Sequence, residues 1–480
     1  MKNQAMFVDR EQELAFLQRV LQRRKPGPAQ LLLLYGRRRV GKSSLLMHWV
    51  AQSGLPSTYW TAEKEPAALQ RRKLYAALVG LPLQQAPIFG SWAEVWDAVA
   101  ILLAGKRHIL VLDELPYIME ADPAALSALQ HAWDRHFQHM EVVLALCGSQ
   151  IRVMEGIQGS QSPLFGRLTG RWYLQPLPFS ALHSFFPTWS VEERIAAYAL
   201  VGGVPAYLGW LDAELSLVAN IREVILDPGS MFGAEPAFLL YDEVREPQPH
   251  LAILKALGAG AHTLEALAQA TIISKTHLSA YLSRLQDLKL VERRLPATIP
   301  PAAQLNSRKG RYHLSDAYFR FYFRFLAPYH DRLVSAPQVV LQQIQANLRA
   351  FVGQTAFEEL SRRWVSEQAQ AGVLPLTPAQ VGSHWSRTVQ VDVVAPDWQN
   401  RKILLGECKW TADELDRKVV RELVETKTPR LLADLPNGGA GWTVTYAYFT
   451  RSGFTSEARH EAQRHGAILV DAAQLGAELG

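Results

Sequence analysis

The sequence contains very little cysteine and no long apolar run. Of its 480 residues only Cys147 and Cys408 are cysteines, and both lie in apolar stretches typical of strands. Two such thiols exclude a disulfide framework and a cysteine zinc site, and we expect both to be buried. No apolar run approaches the roughly 20 residues of a membrane-spanning helix, and the N-terminal MKNQAMFVDREQEL is too polar for a signal peptide. These absences predict a soluble, cytoplasmic protein with no membrane contact.

The positive charge of the chain is concentrated in one segment. The formal net charge is +5, but residues 250–311 alone contain nine Lys and Arg against three Asp and Glu. The remaining residues together are therefore close to neutral. A basic segment of this kind favours contact with nucleic acid.

A phosphate-binding motif follows an apolar run near the N-terminus. The run QLLLLY precedes GRRRVGKSS and a helix-compatible stretch, which is the context of strand, loop and helix that G-x-x-x-x-G-K-[ST] requires. Loop N–H groups and the helix N-terminus would surround a phosphate, Lys42 would reach the β- and γ-phosphates, and Ser43 would ligate Mg²⁺. The predicted nucleotide-binding residues are Gly36, Arg37, Arg38, Arg39, Val40, Gly41, Lys42, Ser43 and Ser44.

Two further strands are predicted to end in polar residues at the sheet edge where ligands bind. RHILVLDEL ends in Asp113, a candidate Mg²⁺ ligand, and Glu114, a candidate to orient or deprotonate the attacking water. EVVLALCGSQ ends in Ser149, which is either a γ-phosphate sensor or the N-cap of a helix.

A loop with two arginines and a stiff turn complete the predicted nucleotide site. Arg167 and Arg171 in SPLFGRLTGRW either stabilise the charge on the γ-phosphate or form surface salt bridges. Pro205 in GGVPAYL lies in a turn that can contact a nucleotide base. The sequence leaves open whether an arginine acts in trans, within a homo-oligomer.

The motifs FVDREQEL, GRRRVGKSS, LVLDELPY, LCGSQ, SPLFGRLTGR and GGVPAYL together resemble the archaeal-type P-loop ATPases, relatives of the AAA+ and STAND ATPases. This resemblance covers roughly residues 6–245. It implies a five-stranded parallel sheet, ATP as the nucleotide, an ATP-dependent switch, and a small helical lid in which Pro205 lies near the adenine.

The basic segment predicts a winged helix-turn-helix. Thr263 begins a short helix as its N-cap, and SKTHLSAYLSRLQDLKLVERR forms a second helix with one apolar stripe, followed by a strand. The exposed face of this second helix carries donors suited to phosphates and base edges, so we expect DNA binding, with a protein-contact module as the alternative. These donors are Lys275, Thr276, His277, Ser279, Ser283 and Arg284. The aromatic-rich residues 312–329 are predicted to be a hinge helix whose rings pack inside the protein.

An acid and a base interrupt the apolar run ILLGECKW near the C-terminus. Strand alternation places Glu407 and Lys409 on one face, and RTVQVDVVAPDWQN supplies Asp392 on a preceding strand of the same hairpin. An upstream helix carries Glu358 and Glu359, and the aromatic residue before it favours Glu358. Asp392 and Glu407 could bind one Mg²⁺, Glu358 could complete the site, and Lys409 could position the attacking water.

This order of helix Glu, strand Asp and strand Glu-x-Lys resembles the PD-(D/E)xK nuclease superfamily, and GECKW, VDVVA and RSGF resemble the nuclease-like domain often fused to these ATPases. The resemblance covers roughly residues 346–480. It implies a restriction-endonuclease-like α/β domain, although Val391 stands where the pattern has proline.

The combined prediction is an α/β protein with five segments. It consists of a P-loop NTPase core with a parallel sheet (1–178), a helical lid (179–245), a winged helix-turn-helix (246–311), a helical linker (312–345) and the nuclease-like domain (346–480). The predicted function is an ATP-hydrolysing switch that controls DNA binding and Mg²⁺-dependent cleavage, with ATP and Mg²⁺ as cofactors. The alternative is a non-cleaving ATP-dependent regulator whose nuclease-like domain binds nucleic acid or a protein.

Overall fold

The computed structural model describes residues 7–479, apart from 24–26 and 245. The chain divides into two compact units, the first extending to Leu177 and including Val204–Ala206, the second comprising Pro178–Gly203 and the chain from Tyr207 onward. In the described part of the chain, no helix is both long enough and apolar enough to cross a bilayer.

The first unit is built on the expected five-stranded parallel sheet, and its strand order is β2-β3-β4-β1-β5. Its central strands are almost continuous runs of Leu, Val and Ile, because a parallel sheet is covered on both faces. Leu31 and Leu33 face α3–α6, whereas Leu32 and Leu34 face α1 and α2. The elements are α1 (Glu11–Gln22), β1 (Gln30–Tyr35), α2 (Lys42–Ser53), β2 (Ser57–Thr61), α3 (Ala67–Val79), α4 (Trp92–Leu103), β3 (His108–Asp113), α5 (Leu115–Ala121), α6 (Ala125–Arg135), β4 (Val142–Gly148), α7 (Ile151–Gly156) and β5 (Gly170–Tyr173).

Short helices follow the first sheet, in the region predicted as a lid, and most of them belong to the second unit. They are α8 (Leu182–Phe185), α9 (Val191–Val201), α10 (Pro205–Trp210), α11 (Leu217–Asn220) and α12 (Met231–Glu243). A capping box between Ser190 and Glu193 begins α9. The rings of Tyr207 and Phe232 pack against Tyr318, which lies in the region predicted as a hinge. This aromatic cluster joins the helices of the predicted lid to the remainder of the second unit.

Three helices and a hairpin form the basic segment. They are α13 (Pro247–Gly258), α14 (Leu264–Thr271), α15 (Lys275–Asp287), β6 (Val291–Arg294) and β7 (Arg311–Leu314), with β6 and β7 antiparallel. Thr263 caps α14 and Ser274 caps α15 through side-chain hydrogen bonds, and the apolar stripe of α15 is buried at Leu278, Leu282 and Leu285. The prediction that a helix begins at residue 312 was wrong, because pairing with β6 makes residues 311–314 a strand.

The linking helices are α16 (Ala317–Phe321), α17 (Arg332–Ser335), α18 (Pro337–Val352) and α19 (Glu358–Gln370). Two π-helical segments, Tyr322–Leu326 and Gly353–Phe357, continue α16 and precede α19. Phe319, Phe321 and Phe323 are at most 1 % exposed. The prediction that these aromatic rings pack in the interior is confirmed.

A mixed five-stranded sheet ends the chain, in the order β12-β11-β10-β9-β8. The predicted hairpin is present, since β9 and β10 are antiparallel, whereas β11 and β12 run parallel to β10. The elements are β8 (Gly382–Trp385), β9 (Gln390–Asp397), β10 (Lys402–Lys409), α20 (Arg417–Arg421), α21 (Thr428–Ala433), β11 (Thr443–Thr450), α22 (Ser456–Arg464), β12 (Ile468–Asp471) and α23 (Ala472–Glu478).

Glu359 connects three elements of the second unit. Its carboxylate on α19 accepts hydrogen bonds from Arg320 on α16, at 2.7 and 2.9 Å, and from Arg294 on β6, at 2.7 Å. Burial alone would raise the pKa of Glu359, but the two guanidinium groups lower it to about 2. The ionised carboxylate therefore stabilises the packing of the hairpin and the linking helices on α19.

We expect Glu359→Gln to lower the free energy of unfolding of the second unit by about 1–3 kcal/mol, because two arginines lose their shared countercharge. Urea unfolding of the full chain at pH 7, followed by tryptophan fluorescence, measures this loss. Glu367→Gln is the control, since Glu367 forms an exposed pair with Arg363 on the same helix and should cost less than about 0.5 kcal/mol. Equal losses in the two variants would contradict the role of Glu359.

Candidate nucleotide and nucleic-acid sites

The loop between β1 and α2 has the backbone of a phosphate cradle. Arg39 and Gly41 have φ values of 68° and 91°, in the left-handed region, and a Cβ on Gly36 would lie 2.5 Å from the carbonyl oxygen of Leu174. Gly41 precedes Lys42, the first residue of α2, so the N-terminus of the helix faces the loop. The sequence motif therefore folds into the strand, loop and helix that phosphate binding requires.

Lys42 is buried against the loop itself. Its ammonium donates to the carbonyl oxygens of Gly36 at 2.9 Å and Arg37 at 3.0 Å. Burial lowers the pKa of Lys42 against the opposing charges of Glu114 and Asp113, so the ammonium would be stabilised by a further negative charge. A phosphate at this position would supply that charge.

Ser43 and Asp113 meet at the end of β3. The Ser43 hydroxyl donates to Oδ2 of Asp113 at 2.7 Å, and the Tyr59 hydroxyl donates to the same oxygen at 2.5 Å. Burial and then the Asp113 carboxylate raise the pKa of Tyr59. Sequence reasoning missed Tyr59, although β2 pairs with β3 in a register that sets Thr61 beside Asp113. One carboxylate and one hydroxyl are hard oxygen donors that suit Mg²⁺.

Glu114 and Ser149 are also in contact. The Ser149 hydroxyl donates to Oε2 of Glu114 at 2.9 Å, and the Ser149 backbone N–H donates to it at 3.3 Å. Glu114 has a φ of 53°, a strained conformation for a non-glycine residue, directly after Asp113. Gln150, rather than Ser149, is the N-cap residue of α7. The two side chains thus form a polar pair at the carboxyl edge of the sheet.

The predicted arginines and proline have different surroundings. Arg167 forms a bidentate salt bridge with Asp134, with two contacts of 2.7 Å, and Arg171 donates to Gln158. In this structure Arg167 therefore has the salt-bridge geometry that the sequence left open. Pro205 lies near the phosphate loop, since its Cγ is 3.9 Å from the position of a Cβ on Gly41.

Arg10 supports the phosphate loop from outside it. Its guanidinium is buried, donates to the Val40 carbonyl at 2.9 Å and pairs with Glu13 at 2.8 Å. This role was not predicted, although Arg10 lies inside the quoted FVDREQEL. A basic residue just before an amphipathic helix does not by itself identify a contact 30 residues away.

The predicted contact face of α15 is largely open. Lys275, Thr276, His277 and Ser279 are exposed, and Lys275 also pairs with Glu265 of α14. Arg284 differs from these residues, because it is half-buried and donates to the Glu243 carbonyl at 2.7 Å. The open donors therefore lie in the first turns of α15, and Ser283 adds an exposed hydroxyl in a later turn.

Asp392 and Glu407 lie on adjacent strands, next to the last register pair, Val393 with Gly406. Asp392 Oδ2 accepts the Cys408 backbone N–H at 3.1 Å. Glu407 is 2 % exposed and pairs with two ammonium groups, Lys427 at 2.7 Å and Lys409 at 3.5 Å. Burial and then the Asp392 charge raise the pKa of Glu407 to about 7.

Lys427 was missed from the sequence because it lies 20 residues beyond Glu407, in the π-helical segment Glu422–Lys427. A lysine in a polar helix carries no sequence signal for an inward contact.

Glu358, rather than Glu359, lies near Asp392. Arg362 donates to Glu358 at 3.2 Å and to the Asp392 carbonyl at 3.0 Å. Burial and then the Asp392 carboxylate raise the pKa of Glu358 to about 8. Because Glu359 is held by two arginines instead, the structure separates a carboxylate of the candidate site from a structural one.

The candidate C-terminal site opens into a cavity of about 620 Å³. Glu358, Asp392, Cys408 and Lys409 line this cavity. Cys147 is fully buried as predicted, and Cys408 is largely buried and lines the cavity. The end of β10, where the strand leaves the hairpin ladder, is open on this side.

Two carboxylates are the most that either candidate site offers to one ion. Across the described residues, no group of three or more His, Cys, Asp or Glu side chains is arranged to hold a metal. Mg²⁺ commonly keeps several waters and binds through one or two carboxylates. The donor sets at Ser43 with Asp113, and at Asp392 with Glu407, therefore fit Mg²⁺.

Residues 7–211 match the family model described as an ATPase domain predominantly from Archaea. Residues 322–423 match a second model, described as archaeal and bacterial proteins of unknown function. This second match includes Glu358, Asp392, Glu407 and Lys409.

Two solved structures show more distant likeness. The Walker-type ATPase PABY2304 of Pyrococcus abyssi is 19 % identical, with a TM-score of 0.46, covering 66 % of this chain and 96 % of the other. The ORC2 protein of Aeropyrum pernix is 15 % identical, with a TM-score of 0.46, covering 70 % of this chain and 95 % of the other.

A relative matches over most of both chains. The uncharacterized protein MJECL04 of Methanocaldococcus jannaschii is 30 % identical over 429 residues, which cover 87 % of this chain and 91 % of the relative. The chain therefore belongs to the same family as MJECL04, and its N-terminal part is an ATPase domain of the type found predominantly in Archaea.

Proposed function

We propose that ATP binding and hydrolysis control two nucleic-acid activities of this ATPase: DNA binding by α15, which α13, α14 and the β6–β7 hairpin support, and Mg²⁺-dependent phosphodiester cleavage by the C-terminal sheet. The observation that carries the cleavage proposal is the cavity in which Asp392, Glu358 and Lys409 lie together. Two carboxyl groups and one ammonium group at a single opening are the groups that metal-assisted phosphodiester hydrolysis uses.

In the ATPase domain each proposed role follows from a contact. Ser43 and Asp113 would hold Mg²⁺, which neutralises charge on the β- and γ-phosphates when it is bound. Lys42 exchanges its loop carbonyls for phosphate oxygens. Glu114 orients the attacking water, and Ser149 responds to the γ-phosphate through its hydrogen bond to Glu114. Pro205 contacts the base.

The basic segment acts as a winged helix. Its supporting features are three helices, a two-stranded hairpin, and exposed donors at the start of α15. Side chains in the first turns of such a helix reach base edges, and lysines hold the phosphates. The proposed winged helix comprises residues 246–314 and so includes all of β7. The P-loop core (1–178) and the helical lid (179–245) precede it, and the helical linker (315–345) and the nuclease-like domain (346–480) follow it.

The C-terminal sheet acts as a PD-(D/E)xK-type nuclease. Asp392 and Glu407 would hold Mg²⁺, which polarises the scissile phosphate and acidifies a bound water when it is present. Lys409 places its ammonium beside the attacked phosphate and stabilises the added negative charge. Glu358, with a raised pKa, can exchange a proton with the leaving oxygen or with water.

One observation favours the alternative, a regulator that does not cleave. Both oxygens of Glu407 are engaged by lysines, with Oε1 near Lys427 and Oε2 near Lys409. Two ammonium groups already neutralise a carboxylate that a metal would need. In the alternative this pairing is permanent and the domain binds nucleic acid or a protein through the same surface.

We expect Arg10→Ala to weaken ATP binding about tenfold, because the Val40 carbonyl loses its buried partner and the phosphate loop loses support. Binding of a fluorescent ATP analogue measures this effect. Arg19→Ala removes an exposed arginine from α1, the helix that follows Arg10, and should change binding less than twofold. An unchanged affinity in Arg10→Ala would remove this residue from the site.

Lys275→Ala should weaken binding of duplex DNA by a similar factor for all sequences and reduce the salt slope by about 1, since one phosphate contact is lost. Fluorescence anisotropy with two unrelated duplexes over a range of salt concentrations tests this. Lys255→Ala, an exposed lysine of α13, is the control. If Lys275→Ala leaves the salt dependence of DNA binding unchanged, as Lys255→Ala is expected to do, the segment is better explained as a protein-contact module.

Lys409→Ala and Asp392→Ala should each reduce nicking of plasmid DNA at least about 100-fold, because either change removes charge from the reacting centre. Gel assays with Mg²⁺ or Mn²⁺, with and without ATP, provide the measurement. Lys418→Ala, an exposed lysine of the same domain, should cut like the unaltered protein. Absence of metal-dependent nicking in the unaltered protein, in every nucleotide state, would leave the regulator as the function.

A further inference from the structure

The cavity beside Asp392 is strongly basic. Six cationic side chains line it. Glu358 and Asp392 are the only acidic side chains among its described lining residues. The cations come from the hairpin, the linking helices and β10. The cations are Arg294, Arg311, Arg320, Arg324, Arg362 and Lys409.

Most of these cations already have a carboxylate partner. Arg294 and Arg320 hold Glu359, Arg362 holds Glu358, and Lys409 is near Glu407. Arg311 and Arg324 differ, because no carboxylate within the described ranges lies within salt-bridge distance of either. The cavity therefore contains two arginines without an internal anion.

Arg311 is also prepared for a planar ligand. Its guanidinium lies over the Trp385 ring, 5.0 Å from the centroid, and both side chains are half-buried at the cavity. Trp385 is fixed by its indole N–H, which donates to the Lys309 carbonyl at 3.2 Å. Single-stranded nucleic acids are bound by such combinations, in which bases stack on aromatic rings or guanidinium planes and cations follow the phosphates.

The size of the cavity selects among nucleic-acid forms. A volume of about 620 Å³ falls within the range of pockets for drug-sized ligands, which corresponds to one or two nucleotides. A duplex cannot enter such a space, because its major groove alone is about 12 Å wide. A strand that enters the cavity must therefore be unpaired.

We propose that this cavity binds single-stranded DNA, so that the substrate of the C-terminal domain is an unpaired end, overhang or flap. Arg311 and Arg324 hold the backbone phosphates, and a base stacks against the Arg311–Trp385 pair. The proposal rests on the proposed function for the cleavage it serves, but binding in the cavity does not depend on cleavage.

The test is anisotropy of a fluorescein-labelled single-stranded oligonucleotide of mixed sequence, with a blunt duplex of the same sequence, in EDTA and without ATP. The full-length Arg311→Ala, Arg324→Ala double variant should bind the single strand at least about tenfold more weakly. The slope of log K against log salt should fall by about 1.4 for two lost phosphate contacts. Blunt-duplex binding through α15 should change less than twofold.

Two further variants keep the result interpretable. The Arg332→Ala, Arg464→Ala double variant removes two exposed arginines that do not line the cavity and should leave single-strand binding within twofold. The Arg311→Lys, Arg324→Lys double variant keeps the charge and should retain most of the salt slope. If the fold of the Ala variant is damaged, duplex binding is lost as well and the circular dichroism spectrum changes. The Lys variant then tests the proposal, because loss of its salt slope would contradict phosphate binding at these two positions.

The proposal is overturned if the Ala variant, with a circular dichroism spectrum like that of the unaltered protein, loses both forms of DNA equally, or if single-strand binding is unchanged. Failure of the proposed nuclease function looks different, since no substrate would then be cut with Mg²⁺ while single-strand binding still depends on the two arginines. Cleavage of blunt duplex and single strand at equal rates would contradict the proposed preference for single strands and would still support the nuclease activity.

Discussion

A carboxylate removed from water needs a positive charge or hydrogen-bond donors, and this requirement organises both units of the chain. Burial without such partners costs several kcal/mol or forces protonation. Asp113 receives two hydroxyl groups and a backbone N–H. Glu359 receives two arginines, and Glu407 receives two lysines. The type of partner that each carboxylate has is the best guide to its role.

The partners differ in how easily a ligand can replace them. Hydroxyl groups at Asp113 are neutral and can turn toward an incoming cation without leaving a charge unpaired. Guanidinium groups at Glu359 form several fixed hydrogen bonds, and removing them would leave buried charge on both sides. Asp113 is thus suited to a reversible function and Glu359 to a permanent structural one. Glu358 and Asp392 have fewer cationic partners for their charge, and they line the open cavity.

The sequence was sufficient for the parts of the molecule that depend on local pattern. Residue spacing predicted the phosphate loop, the N-cap Thr263, the stripe on α15 and the hairpin that brings Asp392 near Glu407. Apolar runs predicted strands because burial on both faces leaves no polar positions. The strand at residues 311–314 was missed, since its Tyr and His residues resemble the aromatic helix that follows, and only pairing with β6 decides between them.

Contacts across long sequence separations could not be predicted in the same way. Arg10 reaches Val40, Tyr59 reaches Asp113 and Lys427 reaches Glu407, each from an element whose own pattern carries no sign of the contact. The aromatic residue before Glu358 favoured it over Glu359 in the sequence, whereas the two arginines that hold Glu359 could not be predicted, because tertiary packing alone brings Arg294 and Arg320 to it.

The two proposed functions, with and without cleavage, require different partners for Glu407, and the balance of charge around this residue shows the difference. Two lysines and Arg362 lie close to Asp392, Glu407 and Glu358, the last of which has a raised pKa, so the centre carries no excess negative charge without a metal. A divalent cation between Asp392 and Glu407 would make Lys427 surplus, so that this lysine would have to turn away toward Glu422, 3.9 Å from it already. Lys409 would stay, because the phosphate brings new negative charge beside it. A cleaving domain therefore needs Lys427 to be mobile, whereas a purely regulatory one needs it to be fixed.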